Sequence, residues 1–401
     1  MSRISLLGLC LLLLLASPPV RADTLTQLDG QEIQARVIGI TRQGEVTLEG
    51  TDRSVDLQNL RRIVRDDGSP AETPGAGRLF LLGDGHITAK SISLRDGTFE
   101  IGRGGDELWT LPIRHAAALR LTPDTEADRQ AAERFQELRG RRLETDRVLA
   151  RDKEQVQTVR CAVVSLDDQS LTVEYGGEER RIGRDRLFGL VLATTARAPD
   201  RAGHCFVTLR DGSEIPGELL ALREGRVHLS PFPNQTVEIP WKEVVRIDVR
   251  SRRMVFLSDL EPVEVLQEAI VTYPWSYRRN ENVLGGPLRL GDRKFDRGLG
   301  THSRCHLTYA AEGKYSTLAA VIGIDDSTGD RGDCLFRVFG DGEKLFEQRA
   351  RGSDAPRSIT VDISGCRRVT LAVEPGEGLD VADNANWCDA RFVAPPQSGG
   401  S

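Results

Sequence analysis

Alternating apolar and polar positions dominate this chain, and they predict short β-strands rather than helices. In the first half one pattern recurs: Asp-Gly, an alternating apolar run, a second Gly, another alternating run and a closing apolar pair. The clearest copy begins at Leu209 and reads LRDGSEIPGELLALREGRVHLS. Asp-Gly supplies the positive φ of a tight turn, and a period of two gives each strand one buried face. Each copy is therefore predicted to be a small β-barrel or roll.

We place four such β-repeats in the first half, and the third of them is degenerate. Their predicted ranges are 23–66, 78–122, 143–195 and 203–251. The acids and arginines of the repeats are spread in the manner of solvated faces and form no recognisable catalytic motif. We therefore expect the repeats to act as spacer or interaction modules.

A charged segment, 123–142, separates the second and third repeats and predicts a short helical connector. Asp124 stands where an N-cap is expected. Apolar residues recur along one side of this segment, at Ala127, Ala131, Phe135 and Leu138.

The repeat pattern stops after about residue 251, and a different module follows at 262–394. This stretch contains eight candidate strands separated by turns rich in Gly, Asp and Ser, which is typical of a jelly-roll β-sandwich. The last residues, 395–401, are predicted to be a disordered tail. The expected fold class is all-β: a C-terminal jelly roll preceded by repeated barrel or roll modules and one short helix.

Residues 1–22 have the pattern of a signal peptide. Arg3 precedes an apolar run from Ile4 to Ala16, and Val-Arg-Ala fits a cleavage site before Asp23. No later stretch reaches the roughly 18 apolar residues of a membrane helix. We therefore expect a protein that is exported to the periplasm or the extracellular space, with no membrane span after cleavage.

Charge and cysteine content narrow the chemistry further. The net charge is −6 and both signs are interspersed, without a basic stripe that carries aromatic residues, which argues against a nucleic-acid partner. Six of the seven cysteines follow residue 22, an even number that permits disulfides in an exported chain. Buried free thiols are the alternative, because cysteine packs well as a small apolar residue. No CxxC or Cys/His cluster indicates a zinc site.

Several motifs of the second half occur in a familiar order. They are KFDRGLGTHSRCHLTYAAEGKYSTLAAVIGIDDSTG, FRVFGDGEKLFEQ, ITVDISGCRRVTLAVEPGEG and DNANWCDARF. In these motifs residues 262–394 resemble the NPCBM family, carbohydrate-binding modules found beside glycoside hydrolases of family 98. The resemblance implies a galactose-binding-like β-sandwich and a carbohydrate partner, for example a galactose-containing glycan. This chain carries Asn384 and Asn386 where the family often has His and Asp.

Sugar binding requires an aromatic platform for the apolar face of the ring and fixed polar groups for its hydroxyls. The candidate binding residues are Trp275, Tyr277, Arg279, His302 and Trp387. Trp275 could instead pack under its loop, and Trp387 could belong to the core. His302, in Gly-Thr-His at the start of a predicted strand, fits a hydrogen-bonded structural residue better than a catalyst.

An acidic loop, GIDDSTGDRGD, offers Asp325, Asp326 and Asp330 as ligands for a structural calcium ion. The same residues also fit a turn in which aspartates cap backbone N–H groups, and that reading needs no metal.

We predict an exported, non-catalytic protein that binds carbohydrate through its C-terminal sandwich. The alternative is a structural or envelope protein that contacts other proteins and does not bind sugar. A hydrolase is disfavoured, because no pair of carboxylates is singled out by its position for glycosidic cleavage.

Overall fold

The computed structural model describes residues 22–66, 77–104, 108–121, 129–152, 155–194, 204–270 and 274–396. The predicted signal peptide, apart from Ala22, and residues 397–401 of the predicted tail lie outside the described residues. Within these ranges the protein is built from antiparallel strands and one α-helix, α1 (Arg129–Arg139). The all-β fold class is confirmed.

The described residues of the first half form twenty-two strands, β1 to β22. Repeat 1 comprises β1 (Asp23–Gln27), β2 (Glu32–Ala35), β3 (Val37–Ile40), β4 (Glu45–Leu48), β5 (Ser54–Asp56) and β6 (Leu60–Val64). Repeat 2 comprises β7 (Gly77–Leu81), β8 (His86–Ala89), β9 (Ser91–Arg95), β10 (Thr98–Gly102), β11 (Leu108–Pro112) and β12 (Ala116–Arg120). Repeat 3 comprises β13 (Asp146–Asp152), β14 (Gln155–Leu166), β15 (Ser170–Tyr175), β16 (Glu178–Gly183) and β17 (Leu187–Val191). Repeat 4 comprises β18 (Cys205–Leu209), β19 (Glu214–Arg223), β20 (Arg226–Phe232), β21 (Gln235–Pro240) and β22 (Val244–Val249).

Each repeat is a small roll, and all four rolls share the same strand pairing, which is clearest in repeat 4. The first strand, β18, pairs with the last strand, β22, and with the start of β19. The second half of β19 pairs with β20, which in turn pairs with β21. A 3-10 turn, Trp241–Glu243, then leads into β22. One long strand thus belongs to both sheets of the roll, and the alternating side chains of both sheets face a shared core.

The rolls associate in pairs through their last strands. In the register of β6 with β22, Ile63 lies opposite Ile247, and in that of β12 with β17, Leu119 lies opposite Leu190. Repeat 1 therefore joins repeat 4, and repeat 2 joins repeat 3. The sequence did not indicate this pairing, which provides hydrogen-bond partners for the outer edges of four strands that would be open in isolated rolls. One continuous hydrophobic core runs through all four repeats.

The two pairs of rolls meet where the Asp-Gly turn of repeat 2 approaches repeat 4. Gly85 has φ of +89°, and a Cβ there would lie 2.5 Å from Cδ of Pro216. A larger residue could not adopt this turn so close to the neighbouring strand. Beside it, His86 lies opposite Glu214 in a short bridge between β8 and β19.

The helix α1 covers the outer side of repeats 2 and 3. Three of the predicted apolar residues, Ala131, Phe135 and Leu138, are buried, and Phe135 packs against Phe188 at a ring distance of 6.0 Å. The predicted N-cap, Asp124, and Ala127 lie outside the described residues.

The second half is a two-sheet sandwich, as predicted. Its strands are β23 (Met254–Phe256), β24 (Glu264–Gln267), β25 (Arg278–Arg279), β26 (Leu288–Leu290), β27 (Arg293–Phe295), β28 (Gly298–His302), β29 (Cys305–Ala310), β30 (Thr317–Ile324), β31 (Asp333–Gly340), β32 (Glu343–Arg351), β33 (Arg357–Asp362), β34 (Arg368–Pro375) and β35 (Asn384–Val393). One sheet has the order β25-β28-β35-β30-β33, with β23 also paired to β35, and the other has the order β24-β29-β34-β31-β32. The core between the sheets includes Phe336, Trp387 and Phe392.

Repeat 1 is docked on the sandwich through buried arginine contacts. Arg391, which is 3% exposed, donates from Nε to the carbonyl oxygen of Leu28 at 2.7 Å. Arg61 pairs with Asp389 at 2.7 Å, and both side chains are largely covered. Because a buried guanidinium needs partners to offset its lost hydration, these contacts hold the repeats and the sandwich in a defined arrangement.

Candidate functional site

The loops of the sandwich collect at one end, which is where the candidate side chains lie. His302 at the end of β28 lies opposite Asn384 at the start of β35, and Ile324 at the end of β30 lies opposite Ala385. The turns that follow β28 and β30, and the loop that precedes β35, therefore share this end. The loop between β24 and β25, which carries Trp275, joins them because Gln267 at its start lies opposite Cys305.

Trp275 and His302 form the aromatic centre of this end. Their rings stack with centroids 5.9 Å apart and an interplanar angle of 28°. His302 is 5% exposed, whereas Trp275 keeps 38% of its surface exposed. Burial lowers the pKa of His302, although the carboxylates of Asp383 and Asp380 oppose that effect. A neutral imidazole therefore supports the indole at neutral pH, and part of the indole faces solvent.

Two buried aspartates hold the loops around this pair. Asp380, 2% exposed, accepts a hydrogen bond from the backbone N–H of Ile270 at 2.7 Å and so fixes the loop that carries Trp275. Asp383, 1% exposed, accepts from the N–H of Asp333 at 3.0 Å. Burial raises the pKa of the Asp383 carboxyl, while the Asp333 N–H, the Ser303 hydroxyl and other neighbours lower it.

Tyr277 and Arg279 were also predicted as binding residues, but they contact other residues than Trp275 and His302. Nη2 of Arg279 donates to the Tyr277 hydroxyl at 3.3 Å and also contacts the carboxylate of Glu261. The Tyr277 ring packs against the sandwich core. The structure thus brings together Trp275 and His302, and it places Tyr277 and Arg279 in a separate cluster that anchors the end of the loop.

Trp387 is completely buried, which corrects its assignment to the binding surface. Its exposure is 0%, and its ring meets Phe336 edge-on at 5.1 Å. Residues of β35 alternate between the faces of a central strand, and Trp387 lies on the face that points into the sandwich. Trp387 therefore belongs to the core, which was the alternative given in the sequence analysis.

Two of the three predicted calcium ligands, Asp325 and Asp326, accept hydrogen bonds from neighbouring groups. The carboxylate of Asp325 accepts from the side-chain amides of Asn386 at 2.6 Å and Asn282 at 3.0 Å, and from the N–H of Ser327 at 3.1 Å. Asp326 accepts from the backbone N–H groups of two residues in the β26–β27 turn, at 2.8 and 2.9 Å.

The third predicted ligand, Asp330, is exposed. Among the described residues no group of three or more His, Cys, Asp or Glu side chains is arranged to hold a metal ion. Asp325 and Asp326 accept hydrogen bonds from N–H groups of turns, as the other reading of this motif requires, and calcium binding stays a prediction.

The six cysteines that follow residue 22 are all free thiols in the structure, and five of them are buried. In the sandwich, burial raises the pKa of Cys305 to about 12, and the pKa of Cys334 and Cys388 is also raised. The structure therefore agrees with the alternative of packed thiols.

Sequence reasoning missed Asp380 and Asp383 as organisers of the loop end. Their signal was weak: two aspartates three positions apart, directly before the last strand, in a chain with many acids. Both carboxylates are buried and accept backbone hydrogen bonds, so they do not form an exposed pair across a cleft. The arrangement is suited to stacking and hydrogen bonding.

Comparison with known proteins identifies the C-terminal region. Residues 253–393 match the family model of the NPCBM/NEW2 domain. The match begins at 253 rather than at the predicted 262, and the structure supplies a reason, because β23 pairs with β35 as part of the sandwich. The predicted resemblance of this region to the NPCBM family is therefore confirmed.

A curated relative and two solved structures resemble this chain. The relative, from Renibacterium salmoninarum, is named "Putative endo-alpha-N-acetylgalactosaminidase"; it is 35% identical over 114 residues, 27% of this chain and 7% of the relative. A CBM51 module of a Clostridium perfringens GH95 protein, solved with methyl-galactose, is 23% identical, with a TM-score of 0.32; the match covers 35% of this chain and 99% of that one. A C. perfringens ZmpB structure with CBM51-2, GlcNAc and INT domains is 25% identical, with a TM-score of 0.33, over 42% of this chain and 36% of that one.

The described residues include no helix that is long and apolar enough to cross a membrane.

Proposed function

We propose that this protein binds carbohydrate at the loop end of its NPCBM domain, with Trp275 as the platform for the sugar ring. The observation that carries the proposal is the stack of Trp275 on the buried, neutral ring of His302, in which Trp275 stays 38% exposed. A rigid aromatic surface of this kind suits the apolar C–H face of a pyranose. The family match of residues 253–393 supports the same function.

Hydrogen bonds to Asp380 and Asp383 favour a platform that is already fixed before sugar binds. Asp380 ties the Trp275 loop to the loop before β35, and Asp383 ties that second loop to β31. A preorganised platform loses little conformational entropy on binding. Most sugar hydroxyls exchange water for protein partners with small net gain, so we expect affinities of about 1 μM to 1 mM.

We further propose that the whole chain is an exported, non-catalytic binding protein. The signal-peptide pattern of residues 1–22 supports export. The buried state of Asp380 and Asp383 supports a binding role over a catalytic one. The four repeats then serve as spacer or interaction modules that present the sugar-binding end.

A glycan array probed with the full chain tests this proposal. We expect signals from neutral glycans, with galactose-containing glycans the first class to examine by calorimetric titration at millimolar concentration. Titrations with added calcium and with a chelator should agree, because two of the three aspartates predicted as ligands, Asp325 and Asp326, already accept hydrogen bonds from N–H donors. No binding to any glycan in either condition would instead favour a structural, protein-contacting role.

A further inference from the structure

A cleft between repeats 2 and 4 is flanked by two strand edges. In the described residues β11 pairs with β10 alone, and β21 pairs with β20 alone. These are the equivalent strands of the two rolls, each directly before its 3-10 turn. A cavity of about 330 Å³ lies between them.

Backbone groups of both edges point toward this cavity. The N–H of Ile113 donates to the carbonyl oxygen of Gly97 at 2.8 Å, which fixes the alternation along β11. The N–H and C=O of Thr110, three residues earlier, therefore point away from β10. In repeat 4 the bond from Trp241 N–H to the Gly225 oxygen sets the alternation along β21. The register with β20 pairs Val237 with Leu229 and Gln235 with Phe232, with a β-bulge between these pairs that leaves Thr236 without a partner in β20. Thr110 and Thr236 both line the cavity.

Apolar side chains of both repeats form part of the cavity wall. Repeat 2 contributes Ile101, Trp109 and Leu111, and repeat 4 contributes Ile215 and Phe232. All five side chains are less than 9% exposed. An occupant would therefore place apolar groups between the rolls while its polar groups meet the strand edges.

The walls of the cleft are fixed by contacts between the two repeats. Arg103 of repeat 2 donates to the carboxylate of Asp211 in repeat 4 at 2.7 and 3.0 Å, and to that of Glu243 at 3.2 Å. The Arg103 side chain is 10% exposed and lies over the Trp109 ring. Because these pairs are partly desolvated and share one guanidinium, they resist closure or widening of the cleft.

We propose that this cleft binds an extended peptide of a partner protein by β-strand addition, with an apolar side chain of the peptide in the cavity. Two open strand edges call for backbone donors and acceptors at strand spacing, which an extended peptide supplies. The repeats were proposed above as spacer or interaction modules, and this proposal states which kind of partner they bind. It does not depend on sugar binding at the sandwich.

The chain offers a matched control in repeat 3. There, in the described residues, β16 also pairs along one edge only. The N–H of Arg184 donates to the Gln169 oxygen, which is the same bond that Ile113 makes to Gly97 in repeat 2. The backbone of Arg181 is therefore directed outward like that of Thr110, and Arg181 is exposed. Proline at an outward position removes an edge donor without removing a ladder hydrogen bond.

The test selects random phage-displayed peptides of about twelve residues on the immobilised full chain. Enriched peptides should alternate apolar and polar residues. Thr110→Pro and Thr236→Pro should each lower their affinity about tenfold, the effect of one lost hydrogen bond. Arg181→Pro should change it by less than about twofold. N-methylation of alternate peptide amides should abolish binding to the unaltered chain, a readout that does not depend on how well the proline variants fold.

Selection that enriches no peptide would overturn the proposal. So would enriched peptides that tolerate N-methylation, or that bind folded Thr110→Pro and Thr236→Pro chains as tightly as the unaltered one. Circular dichroism checks the fold of each variant. Glycan binding, measured on the same variants, should be unchanged, so the peptide and sugar proposals can fail separately.

Discussion

The four tryptophans show how differently the two halves of the chain use large aromatic side chains. In the repeats, Arg103 lies over Trp109 at 4.5 Å and Arg65 lies over Trp241 at 4.9 Å, so a guanidinium covers each ring. In the sandwich, Trp387 is sealed in the core, and Trp275 rests on a neutral imidazole. All four lie in described residues, and Trp275 is the most exposed. Because the tryptophans of the repeats are covered, we expect the repeats to bind partners through strand edges. We expect the sandwich to bind its ligand through a loop side chain, Trp275.

The largest expected effect separates the two tryptophans of the sandwich. Trp387→Ala should destabilise the domain by about 3–5 kcal/mol, because it empties a closely packed site in the core. Denaturant unfolding followed by circular dichroism measures the change. Trp275→Ala is the control and should cost less than about 1 kcal/mol, since its ring is partly solvated. Similar losses for both variants would contradict the division into core and platform.

The next prediction concerns the junction between the halves. Arg391→Leu removes the donor to the Leu28 oxygen and leaves that carbonyl buried without it. We expect a loss of about 2 kcal/mol and earlier unfolding of one half than of the other. Differential scanning calorimetry measures both. Arg367→Leu, at an exposed side chain of the same domain, should leave a single unchanged profile.

If Arg391→Leu also left the calorimetric profile unchanged, the junction would not couple the two halves, and the repeats would act as an independent spacer.

A smaller effect depends on pH. The Arg349 side chain, with help from other donors, lowers the pKa of Asp333 to about 2. The carboxylate form is favoured in the folded state, so this stabilisation is complete above the ordinary pKa of 3.8 and is lost as pH falls toward 2. Solvent screening limits the loss to about 1 kcal/mol. Unfolding curves at several pH values should show this component in the unaltered chain and lack it in Asp333→Asn.

An identical acid profile for Asp333→Asn would mean that the pair with Arg349 contributes nothing to stability.

The smallest change is in thiol reactivity. Alkylation of unreduced protein should label half-buried Cys366 first and the five buried cysteines only after unfolding. Mass spectrometry after labelling in denaturant should find Cys161, Cys205, Cys305, Cys334, Cys366 and Cys388 all modified. Any pair that requires reduction before labelling would show that a disulfide forms where the structure has free thiols.

Local alternation and Asp-Gly turns were sufficient to predict the rolls, because both act within a few residues. The pairing of β6 with β22 could not be predicted, since it joins segments far apart in sequence whose apolar edges would suit many partners. The same limit applies to the site. Trp275 was recognisable as an aromatic residue in a loop, but the sequence left open whether its ring packs under that loop or faces solvent. The burial of Trp387 depends on which face of β35 meets the other sheet, and alternation alone does not set that choice.

Titration of the full chain with the best neutral glycan, compared among three variants, tests the central claim most directly. The unaltered chain should bind with a dissociation constant of about 1 μM to 1 mM. Trp275→Ala should abolish binding while the fold is retained, and Tyr175→Ala, which removes an aromatic exposed to 47% in repeat 3, should bind normally. Unchanged affinity in folded Trp275→Ala would contradict the account, because the platform would then lie elsewhere.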